Sequence, residues 1–486
     1  MQRDFAALLE TCRRGGVEVR SDSRVVGQGD IFVAVPGVNE DGARFIPAAV
    51  EAGAAVVVCR PGGPEDAALQ ASVRAEGCRV VYHEDPREAL WRLAEARWRT
   101  DASRVKILGV TGTNGKTTST YLLERLFTDA GHKVGVLGTV SYRWPGHSEA
   151  APLTTPDPLR VHSMLAQMEA AGVDVAVMEV SSHALALERT AGLTFQEGIF
   201  TNLTRDHLDF HGTMGAYRQA KAKLFAQCRR GVLNQDDPTG RQFAQGVPCP
   251  VVTFGIHPTL AQVQAKGLRL YPDHVIFQVT APQGSCPVTL PIPGRFSVSN
   301  GLGVIACCLD LGLPLEGIAH ALAGAAGVKG RMEVVPVPAP YTVLIDYAHT
   351  PDALEQALTA ARSGARCRLL CLFGCGGDRD STKRPVMGEV AASLADVVIL
   401  TSDNPRTEDP EAILDQVAAG FPPGFSAWVR VADRRAAIRQ ALAMGRAGDV
   451  ILLAGKGHET YQEVGEARLP LDEREEIASF FRESTL

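Results

Sequence analysis

Residues 109–118 read GVTGTNGKTT, and no other stretch constrains the fold of this chain so tightly. The apolar run Val105-Lys106-Ile107-Leu108 before it predicts a short strand. Leu122, Leu123, Leu126 and Phe127 after it recur at helical spacing and give the next segment one apolar face. Strand, glycine-rich turn and helix together make a phosphate cradle, because a helix N-terminus has unpaired N–H groups and the positive end of the dipole. Gly112 and Gly115 let the backbone approach phosphate oxygens. Lys116 reaches the terminal phosphates, and the Thr117 hydroxyl is placed to ligate Mg²⁺. Val110 stands where the strict pattern GxxxxGKS/T has its first glycine, so TGTNGKTT is a variant of it. In this context an ATP-phosphate site is expected rather than a plain turn with a surface lysine.

A chain of 486 residues is too long for one ordinary domain. The net charge of −6 argues against a general nucleic-acid binder, although anionic ligands need only local positive charge. No run of about eighteen apolar residues is present, and the start MQRDFAALLETCRRGG lacks the apolar core of a signal peptide. Eleven scattered cysteines read as reduced, mostly buried thiols of a cytoplasmic protein. Cys371 and Cys375 lack the further partners that a zinc site needs.

The expected fold class is α/β with three domains: residues 1–103, 104–330 and 331–486. In the first, short strands are expected at 30–35, 54–59 and 79–82, with helices at 45–52 and from Asp85-Pro86 onward. Its loops SDSR (21–24) and VNEDG (38–42) are plain turns or ligand loops. The second has a buried strand over 173–180 that ends in Glu179, where a carboxylate beside a phosphate loop can hold Mg²⁺ or face solvent. The loop after residue 201 is crowded with Asp206, His207, Asp209 and His211, and the DHxD pattern resembles a metal site. A helix over 216–225 puts Tyr217, Ala220, Lys221 and Leu224 near one face, and residues 250–292 alternate as a peripheral sheet. The third is a doubly wound domain with strands at 342–345, 367–373, 397–400, 428–431 and 450–453. Its polar loops DYAHTPD (346–352), GCGGDRD (374–380), SDNPR (402–406) and AGKGHE (454–459) all follow strand ends, where open parallel sheets bind ligands.

With TGTNGKTT, MEVSSHAL, TNLTRDHLD…YRQAK, GRME, DYAHTPDAL and GCGGDRD…KRP in one order, the chain resembles the Mur ligases over essentially its whole length. The resemblance implies an N-terminal domain for uridine diphosphate, a central P-loop-type ATPase domain and a Rossmann-like C-terminal domain for an incoming amino acid, with the nucleotide between the last two. The activity implied is ATP-dependent amide ligation in peptidoglycan synthesis. A carboxylate of UDP-N-acetylmuramoyl-L-Ala-D-Glu becomes an acyl phosphate and a diamino acid attacks it. ATP is co-substrate and Mg²⁺ the cofactor; a monomer is expected, with no nucleic-acid partner and no membrane insertion.

The same resemblance assigns residues. Lys116, Glu179, His207 and Lys221 match catalytic positions, with Thr117, Glu179, His207 and a carbamoylated Lys221 holding metal. Gly112, Thr113, Asn114, Gly115, Lys116, Thr117, Thr118, Asn300, Arg331 and Asp346 match ATP contacts. Ser21, Ser23, Asn39, Thr154, Thr155, Ser181, Arg189 and Lys221 match contacts to the uridine diphosphate-linked muramoyl-dipeptide. Arg379, Asp403, Asn404, Pro405, Arg406, Gly455 and Glu459 match the amino-acid site. A DNPR motif in this family goes with meso-diaminopimelate, whose additional carboxylate suits the planar fork of Arg406 and the amide of Asn404. Lysine or ornithine is the alternative, and a polyglutamylating ligase the nearest rival activity. Leu187 replaces a usual Gln and Ser297 a usual Asn, which removes one polar contact to the muramoyl substrate and alters the adenine pocket. A regulatory P-loop NTPase would need only the central domain and leaves the third domain's loops without a purpose.

Overall fold

The computed structural model describes residues 2–37, 40–62, 73, 76–257, 260–325 and 327–483. By contact density the chain forms two compact units, residues 1–120, 127–233 and 237–252 in one, and 121–126, 234–236 and 253–486 in the other.

The first unit opens with a parallel sheet of β1 (Val19–Arg20), β2 (Ile31–Val33), β3 (Val56–Cys59) and β4 (Arg79–Tyr82), in that order. The helix expected over 45–52 begins as a 3₁₀ turn at Gly42–Phe45 and becomes α-helical over Ile46–Glu51. Helix Pro86–Trp98 starts as the Asp-Pro pair predicts: Arg87 N donates to Asp85 Oδ1 at 2.9 Å, and the proline gives up an N–H that would have no partner. Leu90, Leu93 and Ala94 are its buried face.

The unit's second sheet contains β5 (Lys106–Thr111), β6 (Val134–Leu137), β7 (Ser141–Trp144), β8 (His147–Ala150), β9 (Val175–Glu179), β10 (Phe195–Phe200) and β11 (Cys228–Asn234), ordered β11-β10-β5-β9-β6-β7-β8. From β11 through β6 all neighbours are parallel, and these strands are apolar runs because both faces are covered. The antiparallel hairpin β7–β8 is an addition to the sequence reading. Since β5 is flanked by β9 and β10, the glycine-rich turn after β5 sits beside the ends of both. That adjacency positions the site.

β12 (Val251–Gly255) falls on the division between the units. The alternation over 250–292 resolves in the second unit into an antiparallel meander of β13 (Val263–Leu270), β14 (Val275–Ala281) and β15 (Gly284–Leu290), with Val275, Phe277 and Val279 inward. Helix Arg295–Asp310 follows the meander. There follow β16 (Glu333–Val335), β17 (Thr342–Asp346), β18 (Leu369–Phe373), β19 (Val397–Leu400), β20 (Trp428–Arg430) and β21 (Val450–Ala454), in sheet order β16-β17-β21-β18-β19-β20. Only β16 runs antiparallel. One apolar core packs helices Pro351–Gly364, Lys383–Leu394 and Pro410–Ala418 on one face, and another packs Arg434–Met444 and Glu473–Glu483 on the opposite face. This is the doubly wound arrangement. A hairpin of β22 (Tyr461–Val464) and β23 (Ala467–Pro470) was not expected. Among the described residues no helix is long and apolar enough to cross a membrane, and no disulfide joins any of the eleven cysteines.

Candidate functional site

The turn after β5 is clamped by the segment after β10. Thr113 N donates to Asn202 O and Asn114 N to Asn202 Oδ1, both at 2.9 Å, while Thr201 Oγ1 donates to Asn114 O at 2.6 Å. Gly112 has φ +153°, and a Cβ there would lie 1.9 Å from Thr201 Oγ1, so only glycine passes. Gly115, at φ +86°, turns the chain into helix Lys116–Asp129. Lys116 Nζ donates to Gly112 O at 3.0 Å and Thr113 O at 2.8 Å, folded over its own loop. Thr118 is buried on the helix behind it.

Thr117 Oγ1 donates to Glu179 Oε2 at 3.0 Å. The Glu179 carboxylate also accepts from Thr139 N and Thr139 Oγ1, each at 2.9 Å, and is buried. Thr139, after β6, was missed in the sequence because an isolated threonine in a loop carries no pattern. A strand-end carboxylate and a helix-start hydroxyl offer hard oxygens beside the phosphate cradle, a donor set suited to Mg²⁺ with phosphates and water completing the shell.

Thr155 Oγ1 donates to Glu179 O at 2.8 Å and accepts from Ser181 N at 3.0 Å. Arg189 Nη1 reaches Thr155 O at 3.1 Å, and Thr154 Oγ1 lies 3.1 Å from Thr139 Oγ1. Thus Thr154, Thr155, Ser181 and Arg189 gather around the end of β9. Ser181 caps helix Ser182–Ala186 through Ala184 N, and Leu187 ends that helix. Ser21 and Ser23 lie in the loop after β1, where Asp22 accepts from Arg24 N. Asn39 lies outside the described residues.

Lys221 is buried on helix Met214–Ala222. Its Nζ donates to Gly112 O at 2.7 Å and sits 4.7 Å from the centre of the Tyr217 ring. Burial first, and then the charge of Lys116, push its pKa well below the usual lysine value, which favours the free amine. Tyr217 OH in turn lies 3.1 Å from Thr113 Oγ1.

The groups of the DHxD segment pair locally. Asp206 Oδ1 accepts from His207 N at 2.8 Å, and His211 Nε2 pairs with Ser182 Oγ at 3.0 Å. His207 adopts φ +53°, its Nε2 lies 3.4 Å from Asp206 Oδ2, and Asp209 is exposed. Among the described residues no three His, Cys, Asp or Glu side chains are grouped to hold a metal ion. The rings of His183 and His207 instead meet edge to face at 4.7 Å, with Phe210 4.3 Å from His183. Burial, and then the neighbouring His207 and His211, hold the His183 pKa down to about 4. His183 and Asn202 carried no separate sequence signal beyond lying inside polar motifs.

In the second unit, Asp346 accepts from Met332 N at 2.7 Å and from Ala348 N at 2.8 Å, and the Arg331 guanidinium lies 5.1 Å over the Tyr347 ring. Buried Arg331 Nε has no hydrogen-bond partner. Asn300 is buried on helix Arg295–Asp310, and Ser297 donates to Pro293 O at 2.7 Å.

The strand-end loops converge as their placement predicts. Gly377 N donates to Asn404 O at 2.8 Å, and a Cβ at Gly377 would lie 1.9 Å from Pro405 O. A Cβ at Gly455, whose φ is +111°, would come within 2.9 Å of Asp403 Oδ2. Asn404 Nδ2 donates to Glu459 Oε2 at 3.0 Å. Arg406 pairs through Nε with Glu463 Oε2 at 2.9 Å and donates from Nη1 to Gly377 O at 2.8 Å; Arg379 is exposed. The sequence reading left out Glu463, because nothing in it announces the β22–β23 hairpin that carries this partner.

Three family models match in succession: "Mur ligase family, catalytic domain" over residues 18–98, "Mur ligase middle domain" over 110–308 and "Mur ligase, glutamate ligase domain" over 330–457. The chain is 45% identical over 467 residues to the UDP-N-acetylmuramoyl-L-alanyl-D-glutamate–2,6-diaminopimelate ligase of Gloeobacter violaceus, covering 94% of this chain and 92% of that one. To the ligase of the same name from Geobacillus thermodenitrificans it is 42% identical, with 95% and 94% covered. A solved ligase of that name superposes with a TM-score of 0.72 at 32% identity, covering 96% of this chain and 95% of the other. A MurF ligase from Thermotoga maritima in complex with ADP shares the fold at 19% identity, with a TM-score of 0.61 over 98% of each chain. The phosphate cradle, the Thr117–Glu179 pair and the converging C-terminal loops therefore stand in a sequence matched from end to end, and this chain belongs to the Mur ligase family.

Proposed function

We propose that the chain is a cytoplasmic ligase that adds meso-diaminopimelate to the D-Glu of UDP-N-acetylmuramoyl-L-Ala-D-Glu. The observation that carries this reading is the identity of 45% over 94% of the chain to a ligase of that name. The geometry of the phosphate loop, the end of β9 and the C-terminal loops supports it. The γ-phosphoryl of ATP passes to a D-Glu carboxylate oxygen and ADP leaves. The amine then attacks the acyl carbon, phosphate leaves, and a proton is lost as the amide forms.

The loop N–H groups bind the nucleotide's phosphates, and Lys116 swings from its own loop carbonyls to their oxygens. Thr117 and Glu179 would hold Mg²⁺, which when bound offsets phosphate charge and orients the phosphoryl group. Asn300, Arg331 and Asp346 contact the nucleotide, and Ser21, Ser23 and Asn39 contact the uridine diphosphate. Thr154, Thr155, Ser181 and Arg189 hold the muramoyl-dipeptide. The free amine of Lys221 adds to the carbon of CO₂ with loss of a proton, and the resulting carbamate adds hard oxygens near His207, beside the Asp206 carboxylate. Asp403, Asn404, Arg406 and Glu459 receive the diamino acid.

The test is phosphate release with UDP-muramoyl-dipeptide and each of meso-diaminopimelate, lysine and ornithine. Release should need ATP, dipeptide and meso-diaminopimelate together. Equal release without the amino acid, or equal kcat/KM for lysine, overturns the reading.

A further inference from the structure

Between the loops after β19 and β21 lies a cation that the chemistry above leaves unused. The Lys456 side chain is 0% exposed. Its Nζ donates to Asn404 Oδ1 at 2.8 Å and to Glu459 Oε2 at 2.6 Å, and stands 3.8 Å from Asp403 Oδ1. The Tyr461 ring closes over it with its centre 5.3 Å away. Sealed in this way, the ammonium touches no ligand. It acts on the groups that do.

Its effect on Asn404 is specific. Asn404 Oδ1 accepts from Lys456 Nζ and also from Glu463 N at 2.9 Å, while Nδ2 donates to Glu459 Oε2 at 3.0 Å. An ammonium and a backbone N–H can only donate, and a carboxylate can only accept, so the amide has a single orientation. What remains is one N–H of Asn404, a donor, beside Glu459 Oε1, an acceptor. A donor next to an acceptor matches the carboxylate and ammonium of one zwitterionic amino-acid centre. Without Lys456 only the Glu463 N–H and the Glu459 carboxylate hold the amide, and Glu459 Oε2 loses its cation; a flipped amide would set Oδ1, an acceptor, against that carboxylate.

We propose that Lys456 is a positioning residue that sets the polarity of the amino-acid subsite, fixing Asn404 as donor and Glu459 as acceptor for a zwitterionic α-amino-acid head. This rests on the reading of Asn404 and Glu459 as contacts to the incoming diamino acid. Electrostatics run the same way. Burial pushes the Glu459 carboxyl up, but the hydrogen bond and charge of Lys456, with Asn404 and His458, bring it below its usual value. The other titratable groups facing it are Tyr347, Tyr461 and, beyond Lys456, Asp403.

The test measures kcat and KM for all three substrates in the wild type, Lys456→Met, Lys456→Arg and Glu459→Gln. In Lys456→Met the KM for meso-diaminopimelate should rise about ten- to hundred-fold, the range for a lost charged hydrogen bond. The KM values for ATP and dipeptide should stay within about two-fold. The deficit should shrink as pH rises, because Glu459 without its cation protonates at higher pH and regains its charge in alkali. Lys456→Arg should recover part of the loss. An unchanged KM for meso-diaminopimelate overturns the proposal, as does a pH-independent rise in all three KM values. If Lys456→Met does not fold, Lys456→Gln, which keeps a donor for Asn404 without the charge, is held to the same criteria. Glu459→Gln separates the two layers: an unchanged KM there refutes the subsite itself, whereas a raised KM there beside an unchanged one in Lys456→Met refutes only the role of Lys456.

Discussion

Glu473→Gln should loosen both amino-acid loops by breaking a buried ion pair at their roots. Arg434 and Glu473 meet at 2.8 Å with both side chains 0% exposed. Arg434 also donates to Ala454 O at 2.9 Å and to Ser402 O at 3.4 Å, the carbonyls just before Gly455 and Asp403. One guanidinium thus pins the roots of two loops. Desolvation cancels much of the attraction in such a pair, so the intact pair adds little net stability. Removing one partner, however, leaves a buried charge uncompensated and costs about 3–5 kcal/mol. Set against the roughly 5–15 kcal/mol of a whole domain, that is a large fraction. For a domain of this size it corresponds to a Tm lower by roughly 6–20 °C. Glutamine keeps the shape of glutamate, so the loss reports charge and not a cavity. The double variant Arg434→Met/Glu473→Leu should recover most of the Tm, since no lone charge remains. It should still show a raised KM for the amino acid, because the carbonyls of Ser402 and Ala454 have lost their donor. Differential scanning calorimetry with steady-state kinetics measures both. A Glu473→Gln shift below about 1 °C, or a double variant no more stable than the singles, refutes the argument.

Lys221→Ala should lose activity by on the order of hundred-fold or more and regain part of it with small carboxylates, which replace the missing oxygens; mass spectrometry of the native protein should find the carbamate, and full activity of the alanine variant would sink its role. Arg406→Ala should lower kcat/KM for meso-diaminopimelate about ten- to hundred-fold and leave that for lysine nearly unchanged, since only the former has the extra carboxylate; equal losses would remove Arg406 from selectivity. His162 is buried beside Thr100, and burial holds its pKa down to about 4. A depressed folded pKa contributes stability that is fully present above pH about 6.5 and is lost as pH falls toward 4, about 3 kcal/mol in all. Tm measured across that window should therefore fall more in the wild type than in His162→Phe.

What the sequence determined by itself is whatever local spacing encodes. Gly112, Gly115, Lys116 and Thr117 must lie between a strand and a helix in that order, and the apolar periodicity on either side is visible without a fold. The Asp85-Pro86 start, the five parallel strands of the C-terminal sheet and the loops at their ends follow from caps, β-branched runs and turn residues. Those are near-neighbour effects. Tertiary structure decided the partners. Glu179 meets Thr117 across 62 positions because β9 lies beside β5, a pairing that no local signal specifies. The donors Thr139, Asn202 and Lys456 were illegible because a threonine, an asparagine or a lysine in a loop has no period to stand out from. In the cluster 206–209 composition suggests a metal site, whereas the side-chain arrangement, with Asp206 Oδ2 3.4 Å from His207 Nε2 and Asp209 exposed, goes with a left-handed turn at His207 that leaves no mark in composition. The fork of Arg406 was legible as chemistry, whereas its engagement by Glu463 depends on a hairpin folding back over 57 residues, which only long-range packing could settle.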